Sequence, residues 1–281
     1  MDAPRRRPSL PLQLLACITL LLLPPLTGAA TVVRRLPGYH GALPFYLETG
    51  YVTVEETTGT ELFYYFVESE RNPRTDPLLL WLTGGPRCSV FSALAYEIGP
   101  VKFVERRYNG TLPQLVYNPN YWTQMASIVF VDSPAGSGFP YARDSRGYDV
   151  GDVSSSMQIV AFLRKWFHDH PGYLSNPFYI GGDSYAGKVV PLIAQYVSEV
   201  FIMLRLSTST QGYLVGNPLT GDKIDDNSQI PHSHSFGIIS DQLYEAAMRN
   251  CKGDYVNPAN KLCAEVLRTI NNVRRILVLY Y

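Results

Sequence analysis

The sequence lacks both an excess of charge of either sign and an apolar run long enough to cross a bilayer. Its 24 lysines and arginines balance 24 aspartates and glutamates, without a basic patch or stripe. Nucleic acid is therefore not an expected partner. The longest apolar run, residues 12–23, is only twelve residues long, whereas a membrane-spanning helix needs about 20. A membrane partner is not expected either.

The first thirty residues predict a secretory signal peptide. Three arginines precede the apolar run, two prolines end it, and the small residues at 27–30 supply a cleavage site. We expect residues 1–30 to be removed and the mature protein to enter the secretory pathway, with an extracellular or vacuolar location. Hydrophobic residues make up 46% of the chain, and about 250 mature residues can bury one sizeable core.

Strand-like and helix-like patterns alternate through the middle of the chain. Residues 51–54 and 61–68 predict an antiparallel pair around a Thr-Thr-Gly-Thr turn. Apolar residues three or four apart over 153–167 predict an amphipathic helix, and a second helix is expected from Lys188. Two short apolar runs, residues 78–82 and 127–131, are typical of central parallel strands, and residues 178–180 and 212–215 are expected to be further strands of the same alternation. This order predicts an α/β class protein with an α/β-hydrolase-like, mostly parallel sheet.

Residues 178–187, Phe-Tyr-Ile-Gly-Gly-Asp-Ser-Tyr-Ala-Gly, are typical of a nucleophile elbow. An apolar run ends in a tight turn that contains Ser184, and a helical pattern follows directly. Such a turn holds a serine hydroxyl at the N-terminus of a helix, and small neighbours let its backbone pack against adjacent strands. Ser184 is therefore the candidate nucleophile. The alternative is a glycine-rich turn with an incidental serine.

A second motif supplies candidate donors for an oxyanion. The run at 78–82 leads into Thr-Gly-Gly-Pro-Arg-Cys-Ser at 83–89. A tetrahedral intermediate needs one backbone N–H from the residue after the nucleophile, here Tyr185, and another from a glycine-rich loop after an earlier strand. Gly85 is the natural second donor, because a glycine lets the substrate oxygen approach the backbone. The two motifs together predict serine hydrolase chemistry, for which neither a cofactor nor a metal is expected.

The chain resembles the serine carboxypeptidase-like family. Residues 81–89 and 182–187 match its two signatures, 130–139 and 213–218 match it further, and the likeness runs from about Val32 to Val266. The resemblance implies that Ser184 is the nucleophile and that Gly85 and Tyr185 form the oxyanion hole. It also implies an α/β-hydrolase core at 31–217. The start of an insertion that caps the active site is expected at 218–281, together with a closing tail from Asn271 that resembles nothing in the family.

Two positions bear on the reaction that the resemblance implies. Carboxypeptidases of the family bind the free substrate carboxylate through an Asn and a Glu, where this chain has Thr83 and Asp183. Loss of that pair favours the branch that transfers acyl groups from glucose esters to small alcohols or amines. The expected partners are then a small-molecule acyl donor and acceptor. The alternatives are a carboxypeptidase that binds a peptide C-terminus and a non-catalytic interaction scaffold.

The base that a serine nucleophile requires is not evident. The fold places an acid and then a histidine after the serine, but the histidines after Ser184 are His232 and His234, for which solvated loop positions are expected. In the resembling family, the Asp and His come from strands near the C-terminus. We therefore expect a truncated chain that lacks the last core strands and is inactive or barely active, unless His232 serves as an unusual base. His168 and His170, at a helix end, are expected to be structural.

Arg87 departs from the family, which has glycine between the proline and the cysteine. If the backbone at this position requires a positive φ, arginine costs about 1–2 kcal/mol and threatens the oxyanion loop. If it does not, Arg87 merely adds a cation at the rim of the site.

The remaining predictions concern covalent modification. Cys251 and Cys263 could form a disulfide in the oxidising secretory pathway, and the resemblance supports that pair. Cys88 is then expected to be unpaired, since its partner in the resembling proteins lies further along the chain. The sequon at Asn109, Asn-Gly-Thr, predicts a glycan.

Overall fold

The structure, a computed structural model, describes residues 30–107, 109–204 and 210–278. The apolar run at 12–23 and nearly all of the predicted signal peptide lie outside these residues. Among the described helices, none combines the length and the apolarity that a bilayer crossing requires.

The described part of the chain contains nine strands in two sheets. The larger sheet has seven strands in the order β1-β2-β3-β7-β4-β8-β9, and β5 pairs with β6 in a small separate ribbon. The bounds are as follows: β1 (Thr31–Val32), β2 (Leu47–Glu55), β3 (Thr60–Val67), β4 (Leu78–Leu82), β5 (Val101–Phe103), β6 (Leu115–Tyr117), β7 (Ser127–Asp132), β8 (Phe178–Asp183) and β9 (Thr210–Gly216).

The large sheet is antiparallel at one edge and parallel elsewhere. Strands β1, β2 and β3 pair antiparallel with one another, and β3 also pairs antiparallel with β7. Strands β7, β4, β8 and β9 then run parallel, with α1 (Asp152–Asp169) between β7 and β8 and α2 (Ala186–Leu204) between β8 and β9. This confirms the predicted α/β-hydrolase-like class. Because the parallel strands point the same way, the loops that follow them meet at one edge of the sheet.

Strand β4 shows why the central strands read as unbroken apolar runs. Leu78, Leu80 and Leu82 pack into a core with α1 and α2, whereas Leu79 and Trp81 enter the core on the opposite face. Successive side chains of a strand point to opposite faces, so a strand that is covered on both faces needs an apolar residue at every position.

Residues up to Asn217 form one compact unit, and residues from Pro218 form another. The second unit contains α3 (Asp222–Ser235), α4 (Asp241–Cys251) and α5 (Lys261–Val278). A small core lies among these helices, to which Ile230, Ala247 and Leu267 contribute.

Two of these helices, α3 and α5, were not predicted from the sequence. Helix α3 begins where the Asp225 carboxylate accepts the N–H groups of Thr220 and Gly221, at 2.8 and 3.0 Å. Side-chain acceptors for the orphan N–H groups favour a helix start, although Pro231 lies inside the helix. Helix α5 contains part of the expected tail.

Candidate active site

Ser184 lies between the end of β8 at Asp183 and the start of α2 at Ala186. Its backbone has a φ of 55°, an uncommon conformation for a residue other than glycine. The N–H of Ser184 donates to the carbonyl oxygen of Gly216 in β9 at 2.9 Å, and its own carbonyl accepts the N–H of Gly187 at 3.0 Å. The exposed serine thus has the strand–turn–helix geometry of an elbow. Its role as a nucleophile stays a prediction.

The glycine loop after β4 touches this elbow. A Cβ atom on Gly84 would lie 2.5 Å from the Cβ of Ser184 and 2.9 Å from the backbone nitrogen of Tyr185. Such distances are too short for any side chain at position 84. Gly85 has a φ of 125°, and a Cβ there would lie 2.7 Å from the backbone nitrogen of Cys88. Glycines at 84 and 85 therefore bring the two predicted donor segments together.

Thr83 and Asp183 lie at the ends of the neighbouring strands β4 and β8 and contact each other. The Thr83 hydroxyl donates to Oδ1 of Asp183 at 3.1 Å. Glu97 interacts electrostatically with Asp183. Partial desolvation raises the pKa of the Glu97 carboxyl, and the negative charge of Asp183 raises it further. Sequence reasoning missed Glu97, because nothing in its local pattern separates it from other acidic residues.

Asp132, at the end of β7, fastens two loops of the site. Its buried carboxylate accepts the hydroxyl of Ser89 at 2.9 Å and the N–H groups of Val90 at 2.6 Å and Phe139 at 3.2 Å. Burial raises the pKa of Asp132, and these hydrogen bonds offset part of that shift. A side-chain acceptor satisfies buried N–H groups that have no sheet partner. Sequence reasoning did not select Asp132 by itself; it was only one residue of the stretch 130–139 that resembles the family.

Arg87 has a φ of 69°, so the condition for backbone strain is met. Its guanidinium donates to the carbonyl oxygen of Ala135 at 3.0 Å and to those of Tyr148 and Val150 at 3.2 Å each. Of the two alternatives for Arg87, the one with a positive φ therefore applies, and the side chain is also bound to backbone on two other segments.

The side chain of Tyr185 contacts α1. Its hydroxyl donates to Oδ1 of Asp152, the first residue of α1, at 3.1 Å. A cavity of about 200 Å³ lies beside this contact, with Arg87, Asp152 and Tyr185 among its lining residues. Ser184 is not among the lining residues, although Gly84, Tyr185 and Ala186 are.

No described side chain hydrogen-bonds Oγ of Ser184. His170 contacts Glu48 and the carbonyl oxygen of Trp166, both at 2.9 Å, as expected for a structural histidine. His232 and His234 lie in the last turns of α3, so the expected loop position is wrong. His234 contacts Asp241 at 2.7 Å. Within the described ranges, no three His, Cys, Asp or Glu side chains gather as metal ligands would.

Two predicted modification sites have definite structures. A disulfide joins Cys251 to Cys263, whose Cα atoms are 5.0 Å apart, while Cys88 is exposed and free. Oδ1 of Asn109 accepts the N–H and the hydroxyl of Thr111 at 3.1 and 2.7 Å in an exposed turn. Glycosylation of Asn109 stays a prediction.

The family model for serine carboxypeptidase matches residues 37–279. The chain belongs to the serine carboxypeptidase family. The match includes most of the closing segment from Asn271, so the expectation that this segment lies outside the family is wrong. Val273, in this segment, lies on α5 and packs against the small core that includes Ile270.

Similar proteins are found among plant relatives and solved structures. The Arabidopsis thaliana proteins serine carboxypeptidase-like 19 and serine carboxypeptidase-like 7 are 45% and 46% identical to this chain. The matches cover 91% and 90% of this chain but 56% and 59% of those proteins, so the chain spans little more than half their length. A prohormone-processing carboxypeptidase from Saccharomyces cerevisiae shares the fold, with a TM-score of 0.62 at 18% identity over 82% of this chain and 53% of that one.

Proposed function

We propose that Ser184 is the nucleophile of an acyl transfer from a glucose ester to a small alcohol or amine. The proposal is carried by the contact between the glycine loop and the elbow. A Cβ on Gly84 would strike both the side chain of Ser184 and the backbone nitrogen of Tyr185. Candidate donors for an oxyanion therefore lie next to the hydroxyl that would form the new bond.

In the proposed first step, Oγ of Ser184 attacks the ester carbonyl, and the carbonyl oxygen becomes an oxyanion held by the N–H groups of Gly85 and Tyr185. Loss of glucose leaves the acyl group on Ser184, and the acceptor then attacks this ester and regenerates the hydroxyl. The proton of Ser184 needs a base. Since no described group hydrogen-bonds Oγ, we expect the described part of the chain to acylate slowly.

The pair Thr83 and Asp183 supports a neutral ester over a peptide as the substrate. The Thr83 hydroxyl donates its proton to Asp183, which leaves it no second proton for a substrate carboxylate. Asp183 accepts that proton and is one methylene shorter than the glutamate that carboxypeptidases of the family carry, so it too is poorly placed to bind a substrate carboxylate. A glucose ester presents no carboxylate to bind.

Hydrolysis of a peptide C-terminus is the second candidate, and Glu97 favours it. Reduced solvation and the charge of Asp183 raise the pKa of Glu97. A raised pKa extends to higher pH the range in which this carboxyl can donate a hydrogen bond to a substrate carboxylate.

An experiment that traps the acylated protein tests the proposal without requiring rapid catalysis. The purified chain is incubated with an excess of a glucose ester, and bound acyl groups are mapped by mass spectrometry. We expect one acyl group on Ser184 and none on Ser184→Ala. A parallel incubation with a peptide bearing a free C-terminus should leave the peptide intact. Equal acylation of Ser184→Ala would refute the nucleophile, and peptide trimming that depends on Ser184 would select the carboxypeptidase.

The double variant Thr83→Asn with Asp183→Glu restores the residues that carboxypeptidases of the family carry. If Thr83 and Asp183 select neutral esters, this variant loses acylation by the glucose ester relative to peptide cleavage. An unchanged ratio of the two reactions would show that the pair does not determine the substrate.

We also propose that the protein passes through the secretory pathway. The signal-like pattern at 1–30, the sequon at Asn109 and the disulfide between Cys251 and Cys263 support this location.

A further inference from the structure

The Arg87 guanidinium joins the oxyanion loop to two other loops of the site. One nitrogen, Nη1, donates to the carbonyl of Ala135, and the other, Nη2, donates to the carbonyls of Tyr148 and Val150. A guanidinium presents its donors in a rigid planar fork, whereas a lysine ammonium is a compact charge on a flexible stem. The geometry of these three contacts therefore depends on arginine and not on a positive charge alone.

The second proposed donor residue is fastened to the same stretch of chain. Tyr185 donates from its hydroxyl to both carboxylate oxygens of Asp152, at 3.1 and 3.2 Å. Asp152 follows Val150 by only two positions. Segment 148–152 thus contacts both proposed donor segments. Its backbone carbonyls accept the guanidinium of Arg87, which lies in the loop of Gly85, and the carboxylate of Asp152 accepts the hydroxyl of Tyr185.

We propose that Arg87 is a positioning residue that sets the spacing between the Gly85 and Tyr185 donors through segment 148–152. The inference rests on the proposed oxyanion role of these two residues. At position 87 the φ of 69° suits glycine best, so the three carbonyl contacts act against a backbone preference. Glycine at this position would relax the backbone and release segment 148–152 at the same time.

Cys88 provides a reporter that does not depend on catalysis. It is exposed, free of any disulfide and adjacent to Arg87, so its rate of alkylation by iodoacetamide reports the conformation of the loop. We expect Arg87→Gly to raise this rate about tenfold, because a change of this size corresponds to the loss of one hydrogen bond from a charged group. Added methylguanidine should restore the slow rate, and Arg87→Lys should restore it only in part. Lys252→Gly is the matched control, because Lys252 also has a positive φ, of 52°, and should leave the rate unchanged.

Coupling between the two donors is tested with Tyr185→Phe, which removes the contact with Asp152. We expect this change to raise the alkylation rate of Cys88 when Arg87 is present and to have no further effect in Arg87→Gly. Equal effects of Tyr185→Phe in both backgrounds, or an unchanged rate in Arg87→Gly, would overturn the proposal.

The acylation of Ser184 by a glucose ester is measured on the same variants. It should slow in Arg87→Gly and recover with methylguanidine. Failure of the chain to acylate at all, with the Cys88 coupling intact, would count against the proposed function and not against the link that Arg87 makes.

Discussion

Glu48 of β2 and His170 at the end of α1 form an ion pair inside the first unit, with 2.9 Å between Oε1 and Nε2. The hydroxyls of Tyr64 and Tyr46 also donate to Glu48, at 2.7 and 2.8 Å, and the imidazole stacks on Trp166 with ring centroids 4.2 Å apart. The pair therefore connects the antiparallel edge of the sheet to the helix that covers it.

Stability should depend on pH through this pair. Burial acts to lower the pKa of His170, but its bonds to Glu48 and the Trp166 carbonyl raise it overall above 6.5. Burial acts to raise the pKa of Glu48, but bonds from His170, Tyr64 and Tyr46 lower it overall below 4.5. The histidine contribution is complete below pH 6.5 and is lost as the pH rises through its folded pKa. The glutamate contribution is complete above pH 4.5 and is lost as the pH falls through its folded pKa.

We accordingly expect His170→Asn to reduce the free energy of unfolding by an amount on the order of 3 kcal/mol between these pH values, and by less at higher pH. The exposed neighbour His168 supplies the control, because His168→Asn leaves the pair intact. Chemical denaturation of both variants from below pH 4.5 to well above pH 6.5 gives the comparison. A loss in His170→Asn that is the same at every pH would show that packing, and not charge, is responsible.

Gly84→Ala should disrupt the site more than its small size suggests. The new methyl group would lie 2.5 Å from the Cβ of Ser184, and overpacking of this kind costs about 1–3 kcal/mol. We expect lower thermal stability and no acylation of Ser184. Gly172→Ala is the control, since a Cβ on Gly172 meets nothing within 4 Å. Normal acylation of Gly84→Ala would refute the close contact.

The disulfide between Cys251 and Cys263 should stabilise the second unit. A loop of this length contributes about 3 kcal/mol through the unfolded state, so the double serine variant should unfold more readily. Peptide mapping without reduction should recover the bridged pair and an alkylated Cys88. Recovery of a bridge between Cys88 and Cys251 would contradict the pairing.

Expression in a eukaryotic secretory host should attach a glycan to Asn109, and enzymatic deglycosylation should then increase gel mobility. The shift should vanish in Thr111→Ala but persist in Thr111→Ser, because the sequon needs a hydroxyl at this position. An unshifted band for the unaltered chain would show that the turn is not modified.

The sequence predicted the elbow well because its signal is local: an apolar run, small residues and a helical pattern follow one another around Ser184. Long-range contacts carry no such signal. The carbonyl partners of Arg87 lie 48 to 63 positions away, and backbone acceptors leave no trace in the residue types. Glu48 and His170 are separated by 122 positions.

Helix α3 was missed for a different reason. Its composition is polar and includes Pro231, which argues against a helix interior. The side chain that caps it, Asp225, accepts the N–H groups of Thr220 and Gly221, which precede the helix. A cap of this kind has no distinctive pattern in the sequence. Tertiary burial of Ile230 then outweighs weak local propensity.

The contact between Gly84 and Ser184 also has an evolutionary side. Glycine at 184 would remove the overlap between a methyl group at position 84 and the serine side chain, but the methyl group would still lie 2.9 Å from the backbone nitrogen of Tyr185. A lineage that kept the scaffold but gave up the nucleophile would therefore still be confined to glycine at position 84. The glycine is a constraint of the backbone geometry around the elbow and would outlast the loss of the hydroxyl.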